Sequence, residues 1–436
     1  MTSKERSMLR NILAFWIFGM CNNYGYVIML SAAEDIIHKK NHDIGDLSTN
    51  VTCIPEITSR ACHGRASTGA VLLADILPSL VVKAVIPFFM HRIPYGFRHF
   101  IVVGLQLASY LVVAYATSFE MAILGVGLAS FGSGIGETTY LSLSSHFPPS
   151  TIAAWSSGTG GAGVIGSFSY AFLTEPHLGG LSPKNALLVM LIIPVAFAVA
   201  YWIVLRFPTT VYSPKCSPNS WIVPAGYDGT SEKKNGAKDP ITGEPLLETT
   251  EKVHRVPQRV LSFSEKISLI KPLLKLMIPL IFVYYGEYLI NQGLTQLIYF
   301  DCKRGFNLTK SSQYRWYQVL YQVGVFISRS SVKFLELPLG VLYLLPILQM
   351  GNAVFFYFEA RYAFLPHIWI AFALILIEGL YGGSSYVNTF NWVHKNIAPD
   401  VKEYSLSITS MSDSFGIVCA AFSGIVVHNF ICDQLT

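Results

Sequence analysis

Charged side chains are scarce in this sequence. Only 13% of its 436 residues are Asp, Glu, Lys or Arg, whereas 52% are hydrophobic. Soluble domains carry roughly 25% charged residues, so this chain has too little polar surface to cover a water-soluble globule. Its charges lie mostly between long apolar stretches, and a helix needs roughly 20 apolar residues to cross the hydrocarbon core of a bilayer. The composition therefore excludes an ordinary soluble enzyme and indicates a membrane protein.

The apolar stretches lack the two-residue alternation of a membrane β-barrel and are too long for barrel strands. They predict an all-α bundle of about eleven transmembrane helices, similar in layout to the major-facilitator transporters. The opening basic residues run into a stretch long enough to remain in the membrane, so we expect a signal anchor. The predicted spans are residues 10–32, 67–90, 98–118, 121–145, 151–173, 185–206, 273–300, 313–334, 338–358, 366–390 and 404–428.

A polar segment divides the chain near its middle. Residues 207–272 combine Pro, Gly, Ser and charged residues without an apolar run long enough to span, which predicts a flexible cytosolic linker. It would separate an N-terminal six-helix bundle, residues 1–206, from a C-terminal five-helix bundle, residues 273–436. Major-facilitator transporters have two such bundles and bind substrate between them near the membrane midplane. We therefore predict this architecture, with the last helix of the second half missing.

Basic residues and glycosylation sequons agree on one orientation. Lys4, Arg6 and Arg10 place the N-terminus in the cytosol, and the predicted linker is also rich in lysine and arginine. The sequons that begin at Asn50 and Asn307 follow the first and seventh spans. Eleven spans put both sequons on the opposite, lumenal side.

The chain contains only 7 cysteines. Cys53 and Cys62 share the first lumenal loop, where an oxidising compartment makes them a candidate disulfide pair. No cysteine or histidine spacing resembles a metal site, so we expect neither a metal nor a cofactor. The sequence also lacks the G-x-S-x-G and H-E-x-x-H motifs, which argues against a hydrolase or a metalloprotease.

Glycines cluster in the fourth and fifth spans. Residues 158–163 fit G-x-G-x-x-G, but they lie inside a predicted membrane helix rather than after a β-strand. Gly132 and Gly136 form a G-x-x-x-G of the kind that lets helix backbones approach closely. We therefore interpret both as packing motifs and predict a tight contact between spans 4 and 5.

Charged side chains inside the predicted spans are informative, because each costs about 2.5–3.5 kcal/mol on insertion scales unless a partner or cavity receives it. Such charged residues are explained either by proton coupling or by ion pairs between helices. For Asp75 and Lys83 on span 2, a structural ion pair is an open alternative. The candidates for proton coupling or ion pairing are Asp75, Lys83, Glu137, Glu287, Glu378 and Asp413.

Polar side chains follow one face of the seventh span. Tyr284, Glu287 and Asn291 have the three- and four-residue spacing of a helix face. The first span repeats this pattern, and because the two spans open the two halves, pseudosymmetry would set their stripes opposite each other. Arg329 on span 8 could clamp an anion or snorkel at a helix end. The predicted substrate-binding residues are Asn22, Asn23, Tyr26, Tyr284, Glu287, Asn291, Gln292 and Arg329.

Several segments closely resemble the battenin family of lysosomal membrane proteins, and the resemblance extends over nearly the whole chain. It implies a late-endosomal and lysosomal location, a major-facilitator relationship and a role in clearing glycerophosphodiesters, with links to lumenal pH and basic amino acids. The segments are residues 21–24, 30–33, 72–78, 155–163, 287–293, 313–318 and 386–390.

The chain differs from the battenin family in one feature near the C-terminus and one in the linker. Battenins are often described with a prenylation box, but Cys432 is followed by one residue too many for C-a-a-X. The resemblance also implies a dileucine sorting signal in the linker, for which Leu246 and Leu247 are an imperfect counterpart.

The sequence thus predicts a lysosomal membrane transporter, not an enzyme, that exports small polar metabolites by alternating access. The family resemblance makes glycerophosphodiesters the preferred cargo, and protons are a candidate coupling ion. The other expected partners are the lipid bilayer and sorting adaptors that bind the linker, with no nucleic acid. A transporter of basic amino acids and a non-transporting regulator of lysosomal pH and trafficking remain open alternatives.

Overall fold

In the computed structural model, residues 3–31, 55–56, 62, 68–174, 179–208, 210–214, 221–224, 261–308 and 310–435 are described. Every regular element within these ranges is helical. Nine helices in the described part of the chain are long and apolar enough to cross a membrane. The predicted all-α bundle is therefore confirmed.

The described residues form eleven helical segments, six before the predicted linker and five after it. The sixth, seventh and eleventh contain local irregularities. The segments are α1 (Ser3–Ser31), α2 (Thr68–Phe89), α3 (Tyr95–Ala114), α4 (Phe119–Ser144), α5 (Ser150–Thr174), α6 (Pro183–Val204), α7 (Phe263–Leu297), α8 (Lys310–Ser330), α9 (Leu339–Tyr362), α10 (Ile368–Asn396) and α11 (Lys402–Gln434).

The seventh helix begins inside the segment predicted to be linker. Ser262 caps α7 by accepting a hydrogen bond from the Glu265 backbone, and the Glu265 carboxylate accepts one from the Ser262 backbone. This capping box satisfies two N–H groups that would otherwise lack partners. The helix can therefore start at Phe263 among polar residues, ten positions before the predicted boundary at residue 273.

The glycines of α4 and α5 do bring backbones close together, but the predicted tight contact between these two helices is wrong, because they touch only weakly. α5 packs against α1 and α8, whereas α4 packs mainly against α2 and α3. A Cβ on Gly158 would lie 2.0 Å from the Trp16 carbonyl oxygen of α1, and one on Gly163 would lie 1.8 Å from Gln322 of α8. Small residues on two faces of α5 therefore admit one neighbour from each half.

Two helix pairs form the main seams between the halves. α2 packs against α11, and α5 packs against α8. Residues at one end of the bundle, which we call the N-terminal face because α1 begins there, add further bonds across the seams. The Tyr95 hydroxyl donates to Glu403 at 2.6 Å, and a ring nitrogen of His394 lies 3.2 Å from the Ser144 carbonyl oxygen.

A disulfide joins the two halves at the opposite end of the bundle, which we call the cysteine face. Cys62 is bonded to Cys432, near the end of α11. The predicted pairing of Cys62 with Cys53 is therefore wrong, and Cys53 itself lies outside the described residues. Proximity in the sequence does not determine which cysteines pair. A disulfide needs two Cβ atoms about 3.5–4.5 Å apart, and the fold brings Cys432 at the end of α11 close enough to Cys62.

We expect this disulfide to be detectable and stabilising. Peptide mapping of the full chain purified without reductant should recover a Cys62–Cys432 peptide. Cys62→Ser should expose Cys432 to alkylation and lower the melting temperature, since removing a native disulfide typically costs about 2–5 kcal/mol in small domains. Cys21→Ser, at a buried free thiol, is the control that leaves the peptide map unchanged. A Cys53–Cys62 peptide would contradict the fold.

Candidate functional site

The seventh helix changes its hydrogen-bonding pattern inside the bundle. It is α-helical over Phe263–Tyr288, forms a π-helical turn over Leu289–Leu294 and ends in a 3-10 turn over Thr295–Leu297. π-helical turns recur at functional sites, where they change the direction of side chains. Asn291 and Gln292 lie in this turn and are buried.

A buried lysine lies between two carboxylates at the α2–α11 seam. Lys83 Nζ is 2.6 Å from Glu137 Oε2 and 2.9 Å from Asp413 Oδ1. The three residues belong to α2, α4 and α11, so this ion triad links the two halves. The ion pair of Lys83 with Asp75 does not form. Eight residues of helix separate the two along α2 by about 12 Å, whereas the other carboxylates lie at the same depth as Lys83.

Asp75 lies apart from this ion triad. It is 0% exposed, and neither of its carboxylate oxygens has a hydrogen-bond donor among the residues described. It is close enough to Tyr26 for electrostatic interaction. The Tyr26 hydroxyl of α1 in turn donates to the Tyr288 hydroxyl of α7 at 2.7 Å, so the first helices of the two halves meet there.

Arg329 extends into the bundle between the halves. Its guanidinium donates to the Thr159 hydroxyl at 2.5 Å and to the Tyr284 hydroxyl at 2.6 Å. It also lies over the Tyr386 ring, 4.3 Å from the ring centroid. Its Nε is buried without an acceptor, and no ion pair with a carboxylate forms in the described part of the chain. This is the geometry of an inward-facing cation rather than of a snorkelling arginine.

Tyr386 of α10 connects Arg329 to the ion triad. Its hydroxyl donates to Glu137 Oε1 at 2.8 Å and accepts from Trp155 Nε1 of α5 at 3.2 Å. An Arg329–Tyr386–Glu137–Lys83 chain of contacts therefore crosses the interface between the halves. A displacement of either half would break several of these contacts together.

A second acidic cluster lies between α7, α8 and α10. The Tyr321 hydroxyl donates to Glu287 Oε1, and Asn291 Nδ2 donates to Glu378 Oε1 at 2.9 Å and to the Glu287 carbonyl oxygen at 3.2 Å. Gly382 of α10 leaves room for Glu287, since a Cβ there would lie 1.9 Å from Glu287 Oε2. Asn291 thus connects two acidic residues that are 91 positions apart in the sequence.

The predicted residues of α1 do not all reach the interface. Asn22 packs into the N-terminal half, where its amide donates to the Ser133 carbonyl oxygen at 3.2 Å and its oxygen lies against Gly136. Asn23 donates back to Gly19 within α1. Of the predicted α1 stripe, only Tyr26 is described as bonded to the other half.

Three residues of the site were not among the predicted binding residues: Thr159, Tyr321 and Tyr386. Thr159 lies in the glycine-rich run and Tyr386 in another segment of the family resemblance, which was the available signal. Tyrosine and threonine are common in membrane helices for packing and local hydrogen bonding, so composition alone does not distinguish these three.

Gly379 provides a test of the close approach of α8 and α10, the helices that carry Tyr321 and Glu378. A Cβ on Gly379 would lie 2.2 Å from the Tyr321 backbone oxygen, which cannot rotate away. We expect Gly379→Ala to lower the stability of the purified protein by about 1–3 kcal/mol, the usual cost of overpacking. Gly351→Ala on α9, where nothing lies within 4 Å, should leave the melting temperature unchanged or raise it. Equal melting of both variants would contradict the contact.

Comparison with known proteins identifies the family. The CLN3 protein family matches residues 13–434. Battenin of Canis lupus familiaris is 37% identical over 98% of this chain and 92% of its own length, and protein btn-1 of Neurospora crassa is 36% identical over 97% and 88%.

Solved structures agree on the fold. The human organic anion transporter MFSD10 superposes with a TM-score of 0.57 at 11% identity and covers 100% of both chains. The Escherichia coli fucose:proton symporter FucP gives 0.52 at 11% identity over 98% of this chain and 99% of its own. This chain therefore belongs to the CLN3 protein family and is a multi-pass membrane protein with the fold of major-facilitator transporters rather than of an enzyme.

Proposed function

We propose that this protein is a lysosomal membrane transporter that exports small anionic metabolites from the lumen, with glycerophosphodiesters preferred. The observation that carries the proposal is Arg329, an inward-facing guanidinium held by hydroxyl groups and not neutralised by a carboxylate ion pair among the described residues. A guanidinium binds a phosphodiester through two parallel hydrogen bonds. The surrounding hydroxyl groups suit the glycerol moiety.

Arg329 also fits an alternating-access cycle. Thr159 comes from the N-terminal half, whereas Tyr284 and Tyr386 come from the C-terminal half, so both halves surround the guanidinium. Substrate sites in this fold lie at the interface between such repeats. An anion that replaced the hydroxyl partners of Arg329 would change the contacts between the halves. Substrate binding would thereby be coupled to the movement of one half relative to the other.

Contacts on the N-terminal face support a conformation closed at that end. Besides the Tyr95–Glu403 and His394–Ser144 bonds, Lys266 of α7 donates to the Phe88 carbonyl oxygen of α2 at 2.6 Å. These bonds would have to break for substrate to leave through the N-terminal face. We infer that this face is cytosolic and that the structure represents the state before release.

The cysteine face fits the lysosomal lumen in this scheme. It carries the Cys62–Cys432 disulfide and the exposed Asn307, whose loop also contains the disulfide-bonded Cys302. Disulfides and N-linked glycans both belong on the lumenal side. The other sequon, at Asn50, and the Leu246–Leu247 sorting signal lie outside the described residues, and their roles stay predictions.

Transport by the purified full chain in proteoliposomes tests the proposal. Vesicles preloaded with unlabelled glycerophosphocholine should exchange it for the radiolabelled compound added outside, and protein-free vesicles should not. In the second arm, unlabelled lysine or arginine is added as a competitor, and separate vesicles preloaded with these amino acids are assayed with the radiolabelled amino acid outside. Exchange that is inhibited by glycerophosphodiesters but not by these amino acids supports the proposal. Exchange of basic amino acids alone would favour that alternative, and no exchange of either class would favour a regulator that does not transport.

A further inference from the structure

Three buried oxygen atoms around α7 lack hydrogen-bond donors. They are Glu287 Oε2, Glu378 Oε2 and Asn291 Oδ1, and no described residue donates to any of them. Both glutamates are 0% exposed and Asn291 is 2% exposed. A buried acceptor without a donor costs about 1–3 kcal/mol, and more when it is charged. These atoms belong to a glutamate, to the asparagine one helical turn after it and to the glutamate that this asparagine binds, which indicates a site that is completed by a bound positive species.

The surroundings provide little compensation for two negative charges. Arg329 interacts electrostatically with Glu287, but it donates to Thr159 and Tyr284 and forms no ion pair with either glutamate within the described residues. The titratable groups that interact with Glu287 are Tyr284 and Tyr288 of α7, Tyr321 and Arg329 of α8, Glu378 of α10, Asp413 of α11 and Tyr26 across the seam. Glu287 also interacts electrostatically with Glu378, and two interacting carboxylates in such a site bind one proton rather than both ionise.

The space at the site favours a proton over a larger cation. Glu287 Oε2 is packed so closely against α10 that even a methyl group on Gly382 would lie 1.9 Å away. A sodium ion needs several oxygen ligands arranged around it, whereas a proton needs only one oxygen and one acceptor. A proton on either glutamate would also remove one of the two buried negative charges.

We propose that Glu287, which lies one helical turn before Asn291, and Glu378, which accepts a hydrogen bond from the Asn291 side chain, form a shared proton-binding site that couples substrate export to the proton gradient. This proposal rests on the transport function proposed above. The proton binds a carboxylate oxygen when the site is open to the acidic side and leaves from the same oxygen on the other side. Tyr284 provides the link to the substrate, because it binds Arg329 and lies one helical turn before Glu287 on α7.

Infrared difference spectroscopy tests proton binding without substrate. The purified full chain, compared at acidic and neutral pH, should show a carboxylic-acid C=O band that disappears in the double variant Glu287→Gln/Glu378→Gln. Glu359→Gln, at another buried glutamate of the same half, and Asp75→Asn should retain that band. If the double variant keeps every band of the wild type, or if Asp75→Asn alone removes the band, the proposed pair is wrong. This result does not depend on whether the substrate assignment is correct.

Gradient-driven accumulation tests coupling in proteoliposomes. A difference of one pH unit supports at most about tenfold accumulation per cotransported proton, so wild-type vesicles should concentrate glycerophosphocholine toward that limit. Glu378→Gln should reduce the accumulation ratio to about one, since no free energy from the gradient reaches the substrate, while substrate exchange at equal pH continues. Glu359→Gln should accumulate like the wild type. Full accumulation by Glu378→Gln, or accumulation that requires sodium and not a pH gradient, would overturn the proposal.

Discussion

Lys83→Met is expected to destabilise the protein severely. The substitution removes the positive charge between Glu137 and Asp413, 2.6 Å and 2.9 Å from Lys83 Nζ, and leaves two buried carboxylates unpaired. Removing one partner of a buried ion pair typically costs about 3–5 kcal/mol. We therefore expect a large decrease in the melting temperature of the detergent-solubilised full chain, or loss of folded protein during purification.

Two further variants separate this electrostatic cause from a loss of packing. The triple variant Lys83→Met/Glu137→Gln/Asp413→Asn removes all three charges and should recover most of the lost stability, because no uncompensated charge stays buried. Lys275→Met removes an exposed lysine that lies 4.6 Å from the Trp392 ring centroid and should change stability little. If Lys83→Met melts like the wild type, or if the triple variant is no better than the single one, the ion triad does not stabilise the fold.

Arg329→Lys should raise the substrate concentration at half-maximal transport by on the order of 10- to 100-fold, because each hydrogen bond to a charged group contributes about 1.5–3 kcal/mol. Lysine keeps the charge but loses the planar fork that binds two oxygens at once. It also loses the simultaneous contacts with Thr159 and Tyr284 that fix the guanidinium in place. The measurement is the concentration dependence of glycerophosphocholine exchange at equal pH.

A matched substitution controls for general effects of replacing arginine by lysine. Arg361 of α9 lies 5.3 Å from the Tyr362 ring centroid, away from the interface between the halves, and Arg361→Lys should leave exchange unchanged. Melting curves of both variants show whether any loss of exchange reflects unfolding. Unchanged half-saturation in a folded Arg329→Lys variant would remove Arg329 from the substrate site.

The number and approximate positions of the helices could be predicted because they depend on local properties. Without water in the bilayer core, backbone groups must bond within their own segment, so a long apolar run becomes a helix whatever it packs against. The start of α7 was missed because apolarity marks where a helix enters the membrane, whereas the Ser262–Glu265 capping box marks where it begins. Hydrophobicity is insensitive to that difference.

The site could be predicted only as a set of residue types. A buried charge in a membrane helix needs a partner or a cavity, so Lys83, Glu287 and Arg329 were expected to matter before any partner was known. Their partners lie far along the chain, as Asp413 does for Lys83 and Thr159 does for Arg329. Neither helical spacing nor composition encodes such a pairing. Proximity in the sequence favours Asp75 as the partner of Lys83 and Cys53 as the partner of Cys62, but the structure pairs Lys83 and Cys62 with other residues.

The scarcity of charge by itself determined that this protein is a multi-helix membrane protein, because the cost of exposing apolar surface to water and of burying unpaired backbone groups depends on each segment alone. Only the tertiary structure decided which charges neutralise each other. It pairs Lys83 with acids from both halves, leaves Arg329 among hydroxyl groups and joins Glu287 to Glu378 through Asn291. Electrostatic interactions depend on distances between helices, and those distances are set by packing, including the glycines that let α5 and α10 approach their neighbours.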